Sequence, residues 1–146
     1  MLDFDRPTRC LKNLALCLMN LAFLFKNQGD FVAARPLCER ALTIYEKALG
    51  PEHPETATCL NNLASLVQNQ GDLAGAQPLY ERALAIREKV LGPEHPDTAA
   101  SLNDLAVLLS NEGDFAGARL LLKRALAIAA NQVKRSPAAN SDETTI

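Results

Sequence analysis

The sequence predicts an all-α fold, a solenoid of three stacked helix–turn–helix units, from a strict internal period and from helical apolar spacing inside each period. Asn20-Leu21-Ala22 recurs as Asn62-Leu63-Ala64 and again as Asp104-Leu105-Ala106. Gly29-Asp30 recurs as Gly71-Asp72 and Gly113-Asp114, and Arg40-Ala41-Leu42 as Arg82-Ala83-Leu84 and Arg124-Ala125-Leu126. Each step is 42 residues. The connector Leu49-Gly50-Pro51-Glu52-His53-Pro54 returns intact as Leu91-Gly92-Pro93-Glu94-His95-Pro96. A period of this length marks one supersecondary unit that cannot bury its apolar faces alone, and about three such units share a continuous core.

The middle unit shows how each element arises. Pro54 suits a first helical turn, where its missing N–H has no partner to lose. Leu60, Leu63, Ala64 and Val67 follow at i, i+3, i+4, i+7 spacing, one face of an α-helix. Gly71 can take the left-handed conformation that ends this helix, and Asp72 can cap the next one. The second helix runs through Ala76, Leu79, Tyr80, Ala83, Leu84 and Ile86 and stops at Gly92-Pro93. The spacing thus predicts helix A over about 55–69 and helix B over about 73–91. The period carries these to 11–27 and 31–49 in the first unit and to 97–111 and 115–133 in the third. The units span about 12–53, 54–95 and 96–135, after an extension over 1–11 and before a small, polar tail over 136–146 that reads as disordered.

Packing follows from residue size. Ala22, Ala64 and Ala106 in the A helices, with Ala34, Ala76, Ala118, Ala41, Ala83 and Ala125 in the B helices, let helices approach closely. Leu21, Leu63, Leu105, Phe31, Leu73 and Phe115 fill the layers between them. Pro36 and Pro78 fall inside the first two B helices, where Leu120 stands in the third, and predict a slight kink there.

Composition narrows the function classes. The 146 residues are 48% hydrophobic, enough for one packed domain. A net charge of −2 lacks the basic footprint of nucleic-acid binding. Cys10, Cys17, Cys38 and Cys59 show no metal-ligand spacing and lie in apolar helical stretches, so all four read as buried structural thiols. A cytoplasmic, reducing setting fits them. The apolar run 14–25, broken by Asn20, is shorter than a membrane span, and Asp3, Asp5 and Arg6 before it make no basic leader. Neither a membrane association nor a signal peptide is expected. His53 and His95 precede Pro in equivalent connectors with no ligand set around them. There is no phosphate-cradling glycine loop, no GxSxG and no HExxH, so neither an enzyme nor a cofactor or metal site is expected. Glu81, Arg82 and Arg124 recur with the period and read as solvated faces.

The order Asn-Leu-Ala, Gly-Asp, Ala, Ala-Leu resembles the tetratricopeptide repeat in its 42-residue form, found in kinesin light chains and many bacterial repeat proteins. Leu60-Asn61-Asn62-Leu63-Ala64, Gln68-Asn69-Gln70-Gly71-Asp72 and the Leu-Gly-Pro-Glu-His-Pro connector are especially similar to the light-chain version. Light chains carry a long heptad segment ahead of their repeats; residues 1–11 do not read as one, so a complete motor subunit is not expected. The resemblance covers roughly 12–133. It implies a right-handed superhelix whose A helices line a concave groove that binds a protein or peptide ligand, the arrangement of a scaffold or adaptor. Carried over position by position, the groove residues are Asn20, Asn62 and Asp104, then Lys26, Gln68 and Ser110, then Asn27, Asn69 and Asn111, with Asn61, Asn103 and Ser65 nearby. An asparagine amide both donates and accepts, so it can pair with a peptide backbone whatever the peptide's side chains. The competing reading is that these amides fix helix–helix contacts within the scaffold.

The repeats are unequal. Lys26 and Arg35 make the first end basic, and Asp104 and Glu112 make the third acidic; a polarity able to orient a charged peptide and ordinary surface variation compete as readings. Leu16, Met19 and Phe23 occupy groove positions where the second repeat has Thr58, Asn61 and Ser65. Three readings compete for them: coverage by further repeats, self-association with another copy, and a pocket for a partner's apolar anchor. An oligomerisation module, or a regulatory segment of a larger protein, are therefore the alternatives to a peptide-binding scaffold. The terminal Glu143-Thr144-Thr145-Ile146 resembles a ligand for PDZ domains.

Overall fold

The computed structural model describes residues 6–136. Among them are six α-helices and no strand: α1 (Arg6–Asn27), α2 (Phe31–Leu49), α3 (Pro54–Asn69), α4 (Leu73–Val90), α5 (Pro96–Glu112) and α6 (Phe115–Arg135). α1, α3 and α5 are the A helices, and α2, α4 and α6 the B helices. Every strong packing contact joins consecutive helices, both within a unit and from one unit's B helix to the next unit's A helix. This is the one-dimensional stacking of a solenoid.

The turns explain where the helices stop. Gly29, Gly71 and Gly113 all have positive φ, between 80° and 91°, which lets the chain turn back on itself at no side-chain cost. The next residue's N–H then reaches back to a carbonyl of the preceding helix, Asp30 to Phe25, Asp72 to Val67 and Asp114 to Leu109. The same three aspartates cap the B helices, their carboxylates accepting from the N–H of Ala33, Gly75 and Gly117. A side chain at Gly75 or Gly117 would collide with that carboxylate. The first unit carries Ala33 there, and its cap bond is longer, 3.1 Å against 2.9 Å.

The connector histidines are more than spacers. His53 and His95 are the N-caps of α3 and α5, each Nδ1 accepting from the backbone N–H two residues on, at 3.1 and 3.0 Å. Thr56 and Thr98 close the same turn by donating to the carbonyls of Gly50 and Gly92.

Several expectations change. α1 starts at Arg6, ahead of residue 11, so part of the expected extension is helical. With 22 residues and a mean hydropathy of 1.3 over its most apolar window, α1 has the length and composition of a membrane span, contrary to the shorter run read from the sequence. In this fold one side of it, Ala15, Leu18 and Ala22, packs into the stack. As expected, α2 and α4 continue as helix through Pro36 and Pro78, both exposed. Cys38 and Cys59 are buried, but Cys10 and Cys17 are exposed, because among the described residues no helix covers that face of α1. For the same reason Leu21 is exposed although Leu63 and Leu105 are buried, and Phe115 at the other end is exposed too. The expected tail over 137–146 and its terminal Glu143–Ile146 lie outside the described residues, as do Asp3 and Asp5.

Candidate functional site

The A helices carry the residues singled out for binding, and the structure divides them into three groups. The first lines an open cavity between α1 and α3. Asn20 and Asn62 are exposed on its rim, and Leu16, Met19, Phe23, Tyr45 and Thr58 help form a space of about 300 Å³. A smaller hollow of about 60 Å³ continues it past Phe23 and Asn62 toward Lys26 and Leu66. Asn62 thus borders both. Leu16 and Phe23 project from α1 largely exposed.

The second group is tied up within the scaffold. The Lys26 ammonium donates to Ser65 Oγ at 2.9 Å, linking α1 to α3. Asn61 Nδ2 donates to Asp104 Oδ2 at 2.6 Å, linking α3 to α5. Gln68 accepts from the Tyr80 hydroxyl at 2.9 Å. For Asn61, Ser65, Lys26, Gln68 and Asp104 the structural reading therefore applies: they bridge helices. Asn61 Oδ1 remains buried without a hydrogen-bond partner.

The third group stands apart. Asn27, Asn69 and Asn111 fall at the exposed C-terminal ends of the A helices, and Asn103 is exposed on α5. Ser110 belongs to a separate depression with Phe115, Ala118, Arg119 and Leu122 of α6. The cavities named here thus take in Asn20, Asn62, Lys26 and Ser110 and not the other A-helix positions.

Of the groups behind the expected charge polarity, Arg35 is ion-paired, whereas Lys26 and Asp104 bond neutral partners and keep their charge. Arg35 pairs with Glu39 and with Gln70, and Lys26 and Asp104 are bound as above. Burial raises the Asp104 carboxyl above its ordinary range, opposed by the Asn61 hydrogen bond and then by the charges of Arg87 and Lys26. The Tyr80 hydroxyl is pushed up to about 12, first by burial and then by the Asp104 charge.

Arg87 is the residue that sequence reasoning missed. It is buried, and its guanidinium donates to Ser101 Oγ at 2.7 Å, to Thr58 Oγ1 at 3.2 Å and to the Asp97 carbonyl at 3.3 Å. Burial lowers its pKa, offset by the charges of Asp97 and Asp104. The equivalent position one period earlier is Tyr45, so no repeated pattern pointed to it. At that earlier joint sulfur replaces charge. The thiols of Cys38 and Cys59 lie 3.7 and 3.5 Å from the Met19 sulfur, and burial pushes them up to about 11 and about 12.

The B helices and connectors form the opposite side. Arg82 bonds Glu46 and, one period on, Arg124 bonds Glu88, so these arginines form inter-repeat rungs rather than merely solvated faces. A depression of about 590 Å³ lies on the first connector against Arg82, Ile86 and Lys89, and a similar one recurs at the second. Its Lys89 already pairs with Glu52. Among the described residues no cluster of side chains has the makeup of a metal site.

Comparison with known proteins follows this geometry. The sequence model of the tetratricopeptide repeat matches residues 13–86 and 60–131, most of the chain. The chain belongs to the tetratricopeptide repeat family. No curated protein sequence matches it. Among solved structures it is similar to BtubC (BKLC) from P. vanneervenii, at 30% identity and a TM-score of 0.77, covering 84% of this chain and 49% of that one. It is equally similar to a Podosopora anserina putative kinesin light chain with nearly identical TPR-like repeats, at 30% identity and a TM-score of 0.76, covering 88% and 61%. The chain thus spans about half to three-fifths of the length of these relatives. The TPR domain of Arabidopsis FLU, at 16% identity and a TM-score of 0.72, shares the fold. These likenesses make this tetratricopeptide repeat chain kinesin light chain-like in its repeats and an α-solenoid in architecture, the type of fold that serves as a protein-interaction scaffold.

Proposed function

We propose that the chain is a non-catalytic adaptor of the kinesin light chain-like type, acting in the cytoplasm, that holds an extended peptide segment of a partner protein against its A-helix face. One observation carries the reading: two exposed asparagines, Asn20 and Asn62, stand on the rim of a cavity whose walls include Leu16, Met19 and Phe23. An apolar side chain of the peptide fills the cavity while the amides bond the peptide backbone on either side. Apolar walls with a few convergent polar groups are the general form of a binding pocket. The bridged residues Ser65, Asn61 and Asp104 hold the A helices in register, and Lys26 both bridges α1 to α3 and lines the smaller hollow. The asparagine rim, with the Glu55 carboxylate beside it, suits a protein ligand and not a polyanion such as nucleic acid.

The test uses a peptide selected by display against the purified chain. Replacing Asn20 and Asn62 together by Ala is expected to weaken that peptide's binding about tenfold or more, the loss of one to two backbone hydrogen bonds, with helicity unchanged. Unchanged affinity in isothermal titration would remove the rim asparagines from the site.

A further inference from the structure

We propose that the chain associates head-to-tail with copies of itself, the α6 face of one copy receiving the α1 face of the next. The chain contains its own template for this joint, made twice. Where α2 meets α3, the A-helix side presents Thr56, Cys59, Leu63 and Leu66, and where α4 meets α5 it presents Thr98, Ser101, Leu105 and Leu108. None of these eight is more than 6% exposed. One period earlier the same positions on α1 are Leu14, Cys17, Leu21 and Leu24. They share one helix face, and the three leucines are 41–52% exposed.

The B-helix side shows the complementary gap. Cys38 and Tyr80 are buried at the two internal joints, but their equivalent on α6, Leu122, is 45% exposed. Leu42 and Leu84 are half-buried in the internal joints, and their equivalent Leu126 is 70% exposed. Among the described residues the stack thus leaves one uncovered A-type half-joint and one uncovered B-type half-joint, each the missing partner of the other. A capped solenoid has polar ends, whereas here exposed leucines stand on both faces, flanked on α6 by Arg119 and Lys123. The occupant that fits both is a second copy, because continuing the stack by one more step carries the α4–α5 joint onto α6 and the next copy's α1.

The A-helix side leaves a matching rung open. Asn61 on α3 bonds Asp104 on α5. One step on, Asn103 is exposed, and the residue that would face it is Asn20 of the next copy, so two amides meet. On the B-helix side the rung is lost, since Ala130 stands where Glu46 and Glu88 bind arginine, leaving the incoming Arg40 unpaired. The joint between copies is therefore weaker than the joints within one. It joins unlike surfaces, so it does not close as a two-fold dimer and extends as a series. The rung draws on Asn20, which the peptide-binding reading also uses; the leucine faces do not, and the variants below change only leucines.

The test is sedimentation velocity on the full chain over a wide concentration range, with Leu21→Glu and Leu126→Glu, both at exposed positions and checked for helicity by circular dichroism. Leu24→Glu and Leu122→Glu stand in for either variant that loses its helices. The wild type is expected to rise in mass with concentration through dimer and larger species. Each variant alone is expected to stay at monomer mass. An equimolar mixture of the two is expected to reach twice the monomer mass and stop there, because each variant keeps the face the other lacks. A wild type that stays monomeric throughout overturns the proposal, including one that instead binds phosphatidylcholine vesicles through α1. So does either variant that associates alone as the wild type does, which would mean like faces pair.

Discussion

The two internal joints of this solenoid occupy equivalent places and are built from opposite chemistries. Where α2 meets α3, Tyr45, Cys38 and Cys59 gather with Met19, an apolar and sulfur-rich contact. Where α4 meets α5, Arg87 stands at the position of Tyr45, Ser101 at that of Cys59 and Asn61 at that of Met19, and the contact is a hydrogen-bonded network. Backbone, caps and leucine layers are shared. A repeat therefore fixes the shape of its joint with a few glycines, aspartates and alanines and leaves the joint's interior free to be dry or polar. The polar solution requires every buried donor to find an acceptor, since an unpaired buried group costs more than a good bond gains. The sulfur solution tolerates small misfits, because thioether and thiol are soft and adaptable.

The largest expected effect strikes the polar joint. Arg87→Ala removes three hydrogen bonds and leaves Asp104 with less positive charge near it, so a loss of about 2–3 kcal/mol in chemical denaturation is expected. If the joints are interchangeable, the double change Arg87→Tyr with Ser101→Cys, which imports the first joint's pair, recovers at least half of that loss. No recovery would mean that the two chemistries are not alternatives. A smaller effect is expected at Asp104. Because its pKa is raised in the fold, its contribution to stability is full below the ordinary carboxylate value of 3.8 and is lost as pH rises through the raised value. Asp104→Asn should therefore gain about 0.5 kcal/mol at neutral pH and flatten the stability profile between acid and neutral pH. A steeper profile in the variant would reverse the assigned cause. The smallest change is chemical rather than energetic. In the native protein a disulfide-forming thiol reagent at mildly alkaline pH should label Cys10 and Cys17 at once, and Cys38 and Cys59 only as the first joint opens. Four thiols reacting together would show the sulfur joint to be loose.

The period made the architecture readable, since Gly71-Asp72 and the His-Pro connectors state both ends of a helix in residues with strong local preferences. The B-helix start at Asp30, Asp72 and Asp114 followed for the same reason. What escaped was whatever depends on a neighbour. Arg87 differs from its equivalents Tyr45 and Ala129, so no pattern distinguished a buried guanidinium from a solvated one. Cys17 and Leu21 lie on an apolar helix face, which says that the face is fit for burial but not that a helix covers it. Asn61 and Asn62 are adjacent and of one type, yet one bridges helices and the other faces solvent. A helical turn of 100° separates their directions, and only the placement of α5 tells which is which. The histidine caps were hidden because the Pro after them already explained the turn.

The neighbour-only packing has a consequence for how the molecule comes apart. No strong contact ties the first repeat to the third, so nothing forces them to open together. Opening is expected to proceed link by link, as in a chain of coupled beads, with the sulfur link and the guanidinium link each setting its own rate. The middle repeat, held from both sides, is the last to let go. Slow labelling at Cys38 and Cys59 would then act as a clock for one link alone, indifferent to what Arg87 does at the other.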